Sequence, residues 1–156
     1  MAEVLESLCG RWRGSGVGSY PTVPEFSYAE ELDFATDGRP FLHLSQVTRR
    51  RDGTPLHVEQ GYLRTPSDKR VELVIAQPTG VVEVLEGIYG GSGDSLLIDA
   101  TSTLVGLTSS AKAVGATRRR FELTGDLLHV EFWMSASGYH DERHLESWLR
   151  RGDDTT

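Results

Sequence analysis

Cys9 is the only cysteine in 156 residues, so no disulfide can close within the chain and no CxxC metal or redox motif exists. That usage fits a reducing compartment, and a cytoplasmic protein is expected. No run of about eighteen apolar residues is present either. The N-terminal MAEVLESL carries acidic residues where a secretory signal would carry basic ones, so neither a membrane span nor export is expected. Positive charge is in deficit as well: 23 acidic against 16 basic residues give a net charge of −7, which disfavours a polyanion and removes nucleic acid as an expected partner. The basic clusters Arg49-Arg50-Arg51 and Arg118-Arg119-Arg120 read as solvated barrel face.

The familiar catalytic signatures are also missing. Five histidines, His43, His57, His129, His140 and His144, are the obvious transition-metal ligands, but no HExxH, HxH or Cys/His cluster arranges them. Ser102, Ser109 and Ser110 lack a GxSxG setting, and Cys9 has no identifiable base. Gly10–Gly18 is glycine-rich, yet it neither follows a strand nor opens a helix, as a phosphate loop must.

What the chain does have is strand alternation. Gly10, Trp12, Gly14, Gly16, Gly18 and Tyr20 occupy every second position, hence one face of an extended strand. Glycine weakens a strand unless something lies close against its backbone or the strand bends at a barrel corner. Further strands are predicted at 26–34, 40–49, 55–64, 70–77, 80–89, 95–103, 111–123, 127–136 and 144–150. Turn chemistry separates them, as at Asp37-Gly38, Asp52-Gly53 and Thr124-Gly125-Asp126. Val4, Leu5 and Leu8 have helical spacing, which predicts a short N-terminal helical turn able to plug a barrel end. Leu128, Val130, Phe132 and Met134 alternate with polar neighbours, predicting one buried face. Glu72, Gln77, Glu83 and Glu86 interrupt apolar runs, which points to an interior not filled by hydrocarbon. The expectation is one all-β domain over 1–156, a ten-stranded antiparallel up-and-down barrel whose closure removes free edges.

Four segments together resemble the nitrobindin family of haem proteins, also called peroxynitrite isomerases. Gly10-Arg11-Trp12-Arg13-Gly14-Ser15-Gly16 is similar to the family's GxWxGxG signature and continues into Tyr20-Pro21-Thr22. Pro55 to Arg64 resembles its LHxExGYLR strand, Gln77 to Gly87 its PTGxxExxxG segment, and His144-Leu145 with Trp148-Leu149-Arg150 its terminal HLxxxLxR stretch.

The resemblance implies a barrel like that of fatty-acid-binding proteins, with haem b near one open end. It implies His144 as the proximal iron ligand, His57 on the distal side, and Thr22 and Lys112 as porphyrin contacts. The implied activity is conversion of peroxynitrite to nitrate at ferric iron, with nitric oxide bound at ferrous iron. The stretch Gly138 to Arg143 departs from the family's Gly-Gln-Pro-Leu run and adds His140 near the ligand. A glycine face would let a macrocycle lie against the backbone. The alternative is a lipocalin-like carrier of an apolar small molecule, with Arg64 or Lys112 taking a carboxylate. Trp133 and Trp148, if outward-facing, favour a homodimer.

Overall fold

A computed structural model describes residues 3–152. A single helical turn, α1 (Glu3–Glu6), precedes ten strands: β1 (Gly10–Tyr20), β2 (Val23–Ala35), β3 (Phe41–Arg49), β4 (Pro55–Ser67), β5 (Arg70–Gln77), β6 (Val81–Ser92), β7 (Ser95–Leu107), β8 (Ala116–Thr124), β9 (Leu127–Ala136) and β10 (Tyr139–Arg151). Each strand pairs antiparallel with its neighbour in sequence, and β1 pairs β10 to close the barrel. Closure leaves no unpaired edge. No helix among the described residues is long and apolar enough to cross a membrane.

The core fills only one end of the barrel. Leu5 and Leu8 follow the N-terminal turn into it and meet Trp12, Phe34, Leu42, Leu63, Leu73, Leu96 and Leu149, all buried. Trp12 donates its indole N–H to the Leu8 carbonyl at 2.8 Å, so its one polar atom is satisfied. The Arg151 guanidinium lies 4.2 Å over the Trp12 ring and donates to the carbonyls of Cys9 and Ser7 at 2.7 and 2.8 Å. One side chain of the last strand thereby ties down the segment that plugs the barrel.

The glycine row of β1 is inward, but it is not open to a ligand. A Cβ at Gly14 would strike the Trp148 carbonyl of β10, while the rings of Tyr28 and Phe26 already lie against Gly16 and Gly18. The expectation that a macrocycle would rest on this backbone is corrected: β10 and two aromatic rings use the space.

Other boundaries shift. β8 begins at Ala116, so 111–115 is loop. β10 begins at Tyr139 rather than at 144, because Ser137 and Gly138 turn the hairpin with positive φ of 54° and 83° and pairing resumes at once. Glu72 and Glu86 point outward to Arg64 and Arg70, whereas Gln77 and Glu83 point in. Arg119 corrects the solvated reading of its cluster. Strand alternation cannot keep three consecutive residues on one face, and Arg119 is turned inside with 7% exposure. Trp148 is exposed and stacked on His129 at 5.4 Å, while Trp133 carries Arg118 at 4.7 Å over its ring.

Gly14→Ala is expected to cost about 1–3 kcal/mol through forced displacement of β10. Gly90→Ala, where a Cβ meets nothing within 4 Å, should stay within about 0.5 kcal/mol of the parent. Urea midpoints of the two variants check the contrast.

Candidate functional site

At the end opposite the plug the barrel holds a cavity of about 600 Å³, within the range of small-molecule and cofactor sites. Phe26, Leu56, Val114, Phe132, Met134 and Leu145 give it apolar walls. Val130, Phe132 and Met134, predicted as a buried face, border this space and are only half-buried.

His144 enters the cavity through a break in β10. Arg143 pairs with Trp133 of β9, and Leu145 pairs with the very next residue, Phe132. One residue of β10 is therefore extra, and it is His144. Such a bulge re-aims a side chain that alternation would send the other way. Consecutive residues His144 and Leu145 consequently both line the cavity.

The imidazole is held on several sides. Tyr20, Phe26 and Phe132 meet it edge-on with centroids 5.7, 6.3 and 6.3 Å away. The Tyr20 hydroxyl, which donates to the Ala136 carbonyl at 3.0 Å and accepts from the Ala136 N–H at 2.9 Å, keeps its own ring fixed. Nδ1 of His144 lies 2.9 Å from the Ser19 carbonyl. A carbonyl only accepts, so Nδ1 carries the proton and Nε2 of the neutral ring keeps its lone pair. Burial holds the His144 pKa below its ordinary value; the Ser19 bond opposes this and the charge of His57 adds to it.

His57, from β4, and Lys112, from the loop after β7, line the same cavity. Thr22 does not; it is exposed in the β1–β2 turn, two residues beyond Tyr20. His140 is exposed and outside the lining.

Sequence reasoning missed the charged group deeper in the cavity. Arg119 donates to Glu59 through both terminal nitrogens, at 2.5 and 2.9 Å, and to Glu83 at 2.5 Å. Thr117 adds a hydroxyl to Glu83 at 2.5 Å, and Gln77 donates to it at 3.0 Å. Burial alone would raise the Glu59 pKa; the Arg119 charge and a bond from His57 outweigh it and bring it down to about 2. Glu30, buried beside Gln46, is pushed up by desolvation, against the hydrogen bonds of Ser147 and Gln46. The available signal was Arg119 in strict alternation with Thr117, Phe121 and Leu123.

Residues 2–151 match the family described as "THAP4-like, heme-binding beta-barrel domain". The chain belongs to this family. It is 44% identical over 150 residues to Peroxynitrite isomerase 2 of Mycobacterium ulcerans (strain Agy99), covering 96% of this chain and 93% of that protein. It is 45% identical over 148 residues to Peroxynitrite isomerase of Nocardia farcinica (strain IFM 10152), covering 94% and 88%. The crystal structure of Rv2717c from M. tuberculosis matches with a TM-score of 0.93 at 40% identity, over 97% of this chain and 99% of that one.

The site suits the family's haem. A half-buried imidazole offers one lone pair, the walls are aromatic and aliphatic, and an exposed lysine, Lys112, belongs to the lining.

Arg119→Met keeps bulk but leaves two carboxylates buried without their cation, and is expected to cost about 3–5 kcal/mol in urea unfolding. Glu59 ionises near 2 when folded against 4.5 ordinarily. Its contribution is therefore complete above about pH 5 and is lost as pH falls toward about 2, at up to about 1.4 kcal/mol per unit. Apoprotein unfolding across that window should show the acid loss, and Arg119→Met should flatten it.

Proposed function

We propose that the chain binds haem b in this cavity through Nε2 of His144 and converts peroxynitrite to nitrate. The observation that carries the reading is the bulged His144, whose single N–H is taken by the Ser19 carbonyl. An imidazole fixed through one nitrogen is the usual form of a metal-ligating histidine. When bound, the haem would supply iron chemistry: affinity for nitric oxide in the ferrous state and Lewis acidity toward peroxynitrite in the ferric state.

The protein's own residues do the rest. Tyr20, Phe26 and Phe132 hold the imidazole ring and exclude water from it. Phe26, Leu56, Val114 and Met134 supply apolar surface for the faces of a macrocycle. Lys112 in the cavity lining would meet a porphyrin carboxylate; Thr22, exposed in the turn two residues beyond Tyr20, is the other porphyrin contact that the resemblance implies. His57 occupies the wall available to the small ligand. The substrate assignment draws on the relatives named as peroxynitrite isomerases.

A carrier of fatty acids or similar anions fits less well. Such a carrier needs an interior cation for the carboxylate, but Arg119 is already held by Glu59 and Glu83, and Lys112 lines the cavity as an exposed residue. Arg64 faces outward to Glu72 at 2.6 Å.

Haem titration of the purified protein should give a Soret band, and His144→Ala should weaken haem binding about 100-fold or more, equivalent to about 3 kcal/mol. The loaded parent should speed peroxynitrite loss in stopped-flow with nitrate as product, and the apoprotein should not. An unchanged affinity and band in the variant would overturn the ligand assignment.

A further inference from the structure

Glu59 and Glu83 lie in two of the motifs that carry the family resemblance, yet neither has a part in the reading above. The fold brings both onto Arg119 from separate strands, and Glu59 reaches one residue more. Its Oε2 lies 3.3 Å from Nε2 of His57. Arg119 keeps Glu59 ionised even though it is buried. An ionised carboxylate only accepts, so the His57 proton sits on Nε2 and the lone pair of the neutral ring is on Nδ1. Among the described residues no group is recorded bonding Nδ1, and the ring lines the cavity.

We propose that Glu59, backed by Arg119 and Glu83, is a positioning residue that fixes His57 with its proton on Nε2, so that Nδ1 accepts the proton of peroxynitrous acid. This rests on the peroxynitrite reading. In the step, the O–H bond of peroxynitrous acid breaks, its electron pair stays on oxygen, and an N–H bond forms at Nδ1. The products are the peroxynitrite anion and an imidazolium facing Glu59. The proton passes to water as nitrate leaves, and no electron is gained or lost.

Charge arithmetic supports this direction. Glu59, Arg119 and Glu83 together carry one net negative charge, which a cationic His57 neutralises. Among the described residues, the other titratable groups lining the cavity are Tyr28 and Glu30 on β2, Glu131 on β9, His144 on β10 and Lys112 in the loop after β7. A His57 whose Nε2–H is engaged cannot donate it to a bound anion without leaving Glu59, so the ring suits the acid form of the substrate.

Nitrogen-15 spectra of the histidine side chains in the full-length apoprotein report the tautomer directly. His57 should carry its proton on Nε2, and Glu59→Gln, whose amide can donate as well as accept, should move the population toward Nδ1–H. In the haem-loaded protein, Glu59→Gln should lower the isomerisation rate about tenfold where substrate is mostly acid, with little change where it is mostly anion and with haem affinity intact. His57→Phe, which removes one bond to Glu59 but keeps those between Arg119 and its two carboxylates, should show the same acid-side loss and covers the case in which Glu59→Gln does not fold. A parent His57 protonated on Nδ1, or variants with unaltered acid-side rates, would overturn the proposal. A parent without haem-dependent isomerisation would instead defeat the function proposed above, while the tautomer still decides whether Glu59 positions His57.

Discussion

A strand turns every second residue inward, and the break in that rule at His144 of β10 determines what this barrel can hold. Counting back from Leu149, Ser147 and Leu145, alternation alone would send His144 outward. The bulge between Arg143 and Leu145 turns it into the cavity, and the Ser19 carbonyl then fixes which nitrogen keeps its lone pair. Both depend on β1 and β10 lying side by side, since Ser19 comes from one and His144 from the other. The glycines of β1 serve that approach, because a Cβ at Gly14 would collide with the β10 backbone.

The interior is divided accordingly. One end is a hydrocarbon core closed by Leu5, Leu8 and Trp12, with Arg151 clasping the plug. The other is a cavity whose aromatic walls give way, deeper in, to ions. Burying a charge is costly unless it is paired and hydrogen-bonded; Arg119 meets that condition with two carboxylates, and Thr117 and Gln77 satisfy Glu83 further. The pairing commits Arg119 to Glu59 and Glu83 rather than to an anionic lipid. It also gives Glu59 a fixed charge to present to His57.

Much of the fold could be read from residues. Alternation and turn chemistry located all ten strands, with β5 and β9 at their observed limits, because hydrophobic period and turn preference act over a few neighbouring residues. Errors arose where distant segments decide. Local alternation starts β10 only at 144, although hairpin pairing carries it back to Tyr139, and the basic run Arg118 to Arg120 reads as one solvated face, because the acidic partners of Arg119 lie far off in sequence on β4 and β6. At the site, His144, His57 and Lys112 share the cavity, whereas Thr22 is outside its lining.

Strand periods, turns and the kinds of side chain available for binding follow from the order of residues alone. Those are properties of near neighbours, fixed by φ, ψ and side-chain chemistry. Which imidazole enters the cavity, which nitrogen it offers and which acids hold Arg119 were settled by the folded barrel. Each of these depends on strand register between segments far apart in the chain, and a shift of one residue exchanges inside for outside.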